Sequence, residues 1–288
     1  MTAETEPLLN ADTPQHLKDM RRSGALDYRS GELPTWCPGC GYFGITHAMN
    51  NALQAVGVDR DKLAIISGIG CSGRYPFFTT CYGFHGVHGR ALTIASGVKM
   101  AKPELTVLAV GGDGDGLAIG GGHLPHAIRR NTNITYVLFD NGIYGLTKGQ
   151  TSPTTPTGQV TGTHPYGNPD KPLNPFLLAL SYGGSFVATG YAADAPGMEK
   201  VFIEAFAHPG FSFVNIISPC ITFDHVNLQY AILREKFRPV PADHDSGSLQ
   251  AAMALAMDGN FYSGVLFQEH RATWDDAVAA MKAKAGGN

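Results

Sequence analysis

Asp113 and Asn141 each follow a short apolar run, residues 105–110 and 134–139, and an apolar-periodic segment through Leu124, Ala127 and Ile128 lies between the runs. This pattern predicts a βαβ unit. Parallel strands joined by one crossover helix point the same way, so both side chains should emerge at the carboxyl ends of neighbouring strands. A carboxylate and an amide oxygen side by side suit a hard cation such as Mg2+, which keeps coordination positions for phosphate oxygens. Gly120, Gly121 and Gly122, ahead of the crossover helix, would let backbone N–H groups approach an anion where the helix dipole favours one. A metal–diphosphate site is the chemistry these residues predict.

Competing readings fit less well. The glycines at 112, 114, 116, 120, 121 and 122 do not fall in the register of a dinucleotide fingerprint. The spacing also lacks the third oxygen ligand, the following glycine and the closing glutamate of an EF-hand loop. A plain glycine-rich turn is the bland alternative.

A second constellation is made of thiols. Cys37 and Cys40 stand in W-C-P-G-C-G ahead of a helical segment at 42–56, Cys71 follows the apolar run 63–67, and Cys220 follows the run 211–217. Tryptophan before Cys-x-x-Cys also fits a thioredoxin-like redox pair, but that fold needs no further cysteines at other strand ends. In an open parallel sheet ligands gather at the carboxyl edge, so Cys71, Asp113, Asn141 and Cys220 should share one side of the molecule. Four thiolates can hold Zn2+ or an iron–sulfur cluster, and spacing alone does not decide between them. Cys81 is spare.

Other polar residues fall near the same edge. His85 and His88 lie in a glycine-rich loop before a helix at 91–98, where their spacing suits either zinc or loop hydrogen bonds. The position of His88 just before that helix puts it near the diphosphate. Arg74, in G-C-S-G-R, and Lys148, in Y-G-L-T-K-G-Q, both leave the carboxyl edge. They either pair with surface acids or recognise a substrate with two carboxylates, for which the planar arginine fork is the more directional group.

The elements that must position these residues follow from the rest of the chain. Its 288 residues, 43% of them hydrophobic, are enough for one large core, and a net charge of -3 gives no argument for nucleic acid. Residues 1–30 are polar and read as an arm, 31–220 as the cofactor domain and 221–288 as a C-terminal extension. The arm has no secretory signal and no window is long enough to span a membrane, so a soluble, cytoplasmic protein is expected. After Gln150 a Thr/Pro/Gly-rich loop, 151–175, reads as a functional cover or partner contact. A helix at 176–180, a strand at 186–189 and a helix at 197–207 continue the alternation. Helices at 248–257 and 273–284 flank a hairpin-like apolar piece at 261–267. The expected class is α/β, an open doubly wound, mostly parallel sheet with an N-terminal arm and a C-terminal extension.

The motif Gly112-Asp113-Gly114, followed after an interval by Asn141, resembles that of thiamine diphosphate enzymes. With C-P-G-C-G, G-I-G-C-S-G-R, H-G-R-A, G-G-D-G-D-G and Y-G-L-T-K-G-Q in this order, nearly the whole chain resembles the β subunit of 2-oxoacid:ferredoxin oxidoreductases, most closely the 2-oxoglutarate branch. The resemblance implies thiamine diphosphate, Mg2+ and one 4Fe-4S cluster. Carried over, Cys37, Cys40, Cys71 and Cys220 hold the cluster, and Asp113, Asn141 and the carbonyl of Ile143 hold Mg2+. Ile69, Gly70, Cys71, Ser72, His88, Gly112, Gly114, Asp115, Gly145 and Leu146 line the cofactor. It further implies oxidative decarboxylation of a 2-oxoacid with coenzyme A, with electrons passed to ferredoxin, or the reverse CO2 fixation. No acidic residue matches the catalytic glutamate of thiamine enzymes, so the family's answer, a glutamate on a separate α subunit, is expected. Pyruvate specificity, a non-redox thiamine-dependent decarboxylase and a non-catalytic iron–sulfur carrier are the alternatives.

Overall fold

Residues 27–226 and 228–286 are described by the computed structural model, and there the apolar runs become strands. In chain order these are β1 (Leu63–Ser67), β2 (Tyr82–His85), β3 (Thr106–Gly112), β4 (Ile134–Asp140), β5 (Ile143–Tyr144), β6 (Gln150–Thr151), β7 (Phe186–Tyr191), β8 (Phe211–Ile217), β9 (Phe237–Pro239) and β10 (Phe261–Gln268). All but β5 and β6 join one sheet in the order β2-β1-β3-β4-β8-β7-β10-β9; β5 and β6 pair separately. From β2 to β7 every pairing is parallel, and β10 runs antiparallel to β7.

Helices cover both faces, as the doubly wound expectation required. They are α1 (Tyr42–Val56), α2 (Ala91–Ala101), α3 (Leu124–Arg130), α4 (Pro175–Ser181), α5 (Ala195–Ala207), α6 (Tyr230–Lys236), α7 (Leu249–Met257) and α8 (Trp274–Lys284). Strand β4 shows why two cores form: it is buried throughout, and its alternate side chains face opposite sides. Val137 and Phe139 pack with α1 and α5. Ile134, Tyr136 and Leu138 pack with α2, α3 and α4. Local chemistry sets the helix ends. Asn174 caps α4 by accepting from Phe176 and Leu177 N–H, with Pro175 in the first turn, and Thr273 opens α8 with a reciprocal capping box to Asp276.

Several expectations need correcting. The loop around His85 is in part the edge strand β2, which the sequence Y-G-F-H hides because it carries no apolar run. The hairpin-like piece is the single strand β10, bent by a register shift between Val265 and Phe267. Residues beyond Cys220 are therefore no appendage, since β9 and β10 extend the main sheet. Residues 1–26 of the expected arm lie outside the described residues. The remainder, near Tyr28, is tied down: Tyr28 is fully buried and its hydroxyl donates to the carbonyls of Leu53 and Val58. Among the described residues no helix is long and apolar enough to cross a membrane.

Asn131 joins three parts of this fold. It ends α3 in the left-handed region at φ 51°, where asparagine is tolerated better than most residues. Its Oδ1 accepts from Ser185 Oγ at 2.7 Å and Phe211 N at 2.9 Å, while Nδ2 donates to the carbonyls of Arg271 and Ala272. Asn131→Ala should lower unfolding free energy by about 2 to 4 kcal/mol, because a strained backbone and buried unpaired groups are left behind. Asn131→Gly, which relieves the strain alone, should lose less; urea denaturation of both variants checks the order.

Candidate functional site

The carboxyl edge of the parallel strands brings the chemistry-bearing residues together. Asp113 follows β3, Asn141 follows β4, Cys71 lies in the turn after β1, and Cys220 lies after β8. Ile69, Gly70, Cys71, Ser72, His88, Gly112, Asp113, Gly114, Asp115, Asn141, Ile143, Gly145 and Leu146 all line one cavity of about 110 Å³. Tyr42, Tyr144 and Thr147 complete its wall. Arg74, Lys148, Cys37, Cys40 and Cys220 lie outside that lining.

Asp115 braces the cavity. It is buried, and its Oδ1 accepts from Ile69 N at 2.9 Å, Gly89 N at 2.7 Å and His88 Nδ1 at 2.5 Å. One oxygen thus ties the loop after β1 to the loop before α2, with the side chain carried on a π-helical turn, Gly114–Ile119. The His88 bond is made through Nδ1, so Nε2 is the nitrogen left toward the cavity. Oδ2 of Asp115 and Oγ of Ser72 are buried without partners, which leaves two polar atoms at the cavity with bonding capacity to spare. Glycine is required along this wall: a Cβ on Gly114 would stand 2.3 Å from the Tyr144 ring, and one on Gly68 1.9 Å from Asp115 Oδ2. Gly120, Gly121 and Gly122 do not line the cavity. A Cβ on Gly120 would meet the carbonyls of Asp115 and Gly89, so its smallness serves backbone packing rather than the expected anion cradle.

Asp113 forms the floor, and a second buried carboxyl group, Asp140, lies behind it. Asp113 and Asp140, the last residue of β4, share Thr154: its Oγ1 lies 3.0 Å from Asp113 Oδ2 and 2.7 Å from Asp140 Oδ1. Burial, then repulsion from Asp140, raises the Asp113 carboxyl to about 7, against the hydrogen bonds from Ser152, Thr154 and Asn141 N. Burial also raises Asp140, which Thr154, Asn215 and Gly142 N partly offset. A divalent cation removes the penalty of ionising both. Asn141 is placed by an Nδ2 bond to Tyr42 Oη at 3.0 Å, and its Oδ1 accepts from Ile143 N at 3.1 Å, leaving one lone pair. Two side-chain oxygens with room for phosphate and water suit Mg2+.

The four thiols form a neighbouring group. Burial pushes the Cys40 thiol up to about 12, with added repulsion from Cys71, Cys220 and Cys37, and Cys71 up to about 11 with repulsion from Cys220 and Cys37. Cys220 is raised by burial, while backbone amides of Thr222, Phe223 and Asp224 favour its thiolate. Cys81 is raised to about 12 in a different setting, with Arg60 and Asp61. Trp36 Nε1 donates to the Cys71 carbonyl at 2.7 Å, and Tyr230 Oη donates to the Gly39 carbonyl at 3.1 Å, so distant segments of the chain secure the thiol loops. Gly145 joins the two groups: its Cβ position is 3.4 Å from Cys220 Sγ, 3.7 Å from Cys71 Sγ and 3.8 Å from Asn141 Nδ2. Among the described residues no three His, Cys, Asp or Glu groups are placed to hold one metal ion together.

Arg74 and Lys148 are both exposed, and neither makes an ion pair among the described residues. Arg74 lies close enough to favour the Cys71 thiolate. Lys148 sits in the turn between β5 and β6 with φ 78°. His85 makes the loop bond expected of its bland reading, with Nδ1 3.0 Å from Ser67 Oγ. Sequence reasoning missed Tyr42, Asp140, Tyr144, Thr147 and Thr154. An acid directly before Asn141 at a strand end was the available signal for Asp140; nothing local marked Thr154.

Comparison with known proteins agrees with this geometry. Residues 68–216 match the family described as thiamine pyrophosphate enzyme, C-terminal TPP binding domain, and residues 220–283 match the family of the C-terminal part of the pyruvate ferredoxin oxidoreductase beta chain. The chain is 46% identical over 198 residues to 2-oxoglutarate oxidoreductase subunit KorB of Mycobacterium tuberculosis, covering 69% of this chain and 53% of that protein. It is 44% identical to 2-oxoacid:ferredoxin oxidoreductase 2, subunit beta, of Aeropyrum pernix, covering 70% and 65%. Against 2-oxoglutarate synthase subunit KorB of Archaeoglobus fulgidus it is 44% identical, covering 74% and 80%. The chain thus spans only about half to two thirds of the length of the first two relatives. Among solved structures, 2-oxoglutarate:ferredoxin oxidoreductase from Magnetococcus marinus, with 2-oxoglutarate, coenzyme A and succinyl-CoA bound, superposes with a TM-score of 0.89 at 45% identity, covering 91% of this chain and 90% of that one.

The brace at Asp115 is open to test. Asp115→Ala removes the shared acceptor of three donors, that of Gly89 N buried and those of Ile69 N and His88 Nδ1 part-buried, so affinity for thiamine diphosphate with Mg2+ should fall by at least about tenfold. Calorimetric titration measures it, and an affinity equal to wild type would mean that the two loops hold their places without Asp115.

Proposed function

The chain belongs to the family of 2-oxoacid:ferredoxin oxidoreductase β subunits, and we propose that it forms the cofactor-holding half of an enzyme that oxidatively decarboxylates 2-oxoglutarate with coenzyme A, or runs the reverse CO2 fixation. The carrying observation is that the space a Cβ would take at Gly145 lies within 4 Å of Asn141 Nδ2 and of the Cys71 and Cys220 thiols. When bound there, thiamine diphosphate supplies the electron sink that decarboxylation needs and a 4Fe-4S cluster supplies a one-electron outlet to ferredoxin.

This chain's residues prepare that chemistry. Asp113, Asn141 and the Ile143 carbonyl hold Mg2+ against the diphosphate. Ser72 Oγ and His88 Nε2 stand at the cavity as free polar groups, with Asp115 fixing the histidine. Cys37, Cys40, Cys71 and Cys220 hold the cluster. A cluster suits these thiols better than zinc, because beside a thiamine site an electron outlet has a chemical use, whereas a core of this size needs no structural ion to brace it. Free thiols also suit a reducing cytoplasm.

A partner is required on two grounds. The cavity of about 110 Å³ is open at the surface and smaller than the few hundred Å³ typical of an enclosed cofactor site, which leaves room for a second chain to complete it. Among the described residues no glutamate lines it either. We place that glutamate on an α subunit, with αβ or α2β2 assembly.

Substrate choice falls to the two cations at the edge. Arg74 matches the distal carboxylate of 2-oxoglutarate, and Lys148 adds a less directional charge. Pyruvate has no distal carboxylate and would leave the arginine unpaired. In the assembled enzyme, kcat/KM for 2-oxoglutarate over pyruvate should fall by at least about tenfold in Arg74→Ala, the size of one charged hydrogen bond. An unchanged ratio would move specificity to the α subunit, and turnover by this chain alone would overturn the partner requirement.

A further inference from the structure

Thr154 lies in the long loop after Gln150, outside every motif that marks the site, yet its hydroxyl reaches the metal carboxylate. Its neighbours hold it there. Thr155 Oγ1 donates to the Gly142 carbonyl at 2.6 Å and accepts from Ser152 N at 2.8 Å, while Asn168 Nδ2 donates to the Thr155 carbonyl at 2.9 Å. On the far side, Asp140 Oδ1 also accepts from Gly142 N at 3.2 Å and Oδ2 accepts from Asn215 Nδ2 at 3.3 Å. The Thr154 hydroxyl is thus fixed between two carboxyl groups.

The two oxygens of Asp113 are consequently unequal. Oδ2 lies 3.0 Å from Thr154 Oγ1, whereas Oδ1 has a 3.4 Å approach from Asn141 N and stands beside the asparagine; Ser152 also hydrogen-bonds this carboxyl. A carboxylate free on both oxygens can embrace one cation, which Ca2+ accepts in its larger and more flexible shell. Mg2+ demands near-octahedral geometry and takes single oxygens. We propose that Thr154 determines which cation the site takes: by occupying Asp113 Oδ2 it makes Asp113 a one-oxygen ligand, favouring Mg2+ over Ca2+. The inference rests on the metal–diphosphate reading of the floor and names the loop residue that sets its selectivity.

The test is calorimetric titration of the assembled enzyme, this chain with its α subunit, stripped of cofactor and metal, with thiamine diphosphate in saturating Mg2+ or Ca2+. Wild type should bind more tightly with Mg2+. In Thr154→Val the ratio of the two affinities should fall by about tenfold, the size of a hydrogen bond to a charged group, and Thr154→Ser should keep it within about twofold. Equal weakening with both metals in Thr154→Val reduces Thr154 to a structural residue and overturns the proposal, as does loss of the ratio in Thr154→Ser. Should Thr154→Val not fold, Asp140→Asn decides: with no second carboxylate competing for the hydroxyl, the ratio should hold or rise, and a fall overturns the proposal. Wild type that binds equally with both metals refutes the selectivity alone. Wild type that binds with neither refutes the metal–diphosphate reading itself, and the selectivity with it.

Discussion

Burial of two carboxyl groups, Asp113 and Asp140, at the ends of adjacent parallel strands is the constraint to which the rest of the site answers. Two carboxyl groups cannot both ionise out of water without compensation. The chain supplies part of it through the Thr154 hydroxyl, the Asn215 amide and the backbone N–H groups of Asn141 and Gly142. On the proposed function a divalent cation would supply the rest, and the arrangement that burdens the folded chain would serve as the receptor for metal and diphosphate. The long loop belongs to this balance, since it carries Thr154.

Sheet topology explains why the thiols stand next to that receptor. Strands β1, β3, β4 and β8 are parallel neighbours, so the segments that leave them, bearing Cys71, Asp113, Asn141 and Cys220, must emerge at one edge. The short β5–β6 turn then folds back across this edge and places Gly145 between the floor and the thiols. A Cβ there would stand in van der Waals contact with Cys220 and Cys71 Sγ. Asp115 performs the corresponding task at the other wall, where one oxygen gathers donors from two loops.

What is legible in the sequence is whatever local pattern determines. Apolar runs of strand length announce β1, β3, β4 and β8, and the residue following each run locates its position on the edge. The family resemblance then names thirteen residues that line a single cavity. What lies hidden depends on long-range contact. Asp140 looks like part of a turn because its burial is created by β8 packing alongside β4. Thr154 cannot be read at all, since a loop without periodicity gives no sign of where it returns. The triple glycine misleads for the reverse reason: its pattern suits an anion, but α3 begins beyond it, and backbone atoms crowd Gly120 and Gly121. Strand β10 reads as a hairpin because antiparallel addition to a parallel sheet leaves no local mark.

On the proposed function, a metal–diphosphate floor and a four-thiol cluster would share one edge and adjoin at Gly145, beside Asn141, Cys71 and Cys220. Electron paramagnetic resonance of the reduced cluster, with Mn2+ in place of Mg2+ and thiamine diphosphate present, tests that adjacency. Wild type should show the cluster signal broadened and faster relaxing with Mn2+ than with Mg2+, Asp113→Ala should lose the difference, and Cys220→Ala should lose the signal while Cys81→Ala keeps it. A cluster signal indifferent to Mn2+, or one that survives in Cys220→Ala, would contradict the account.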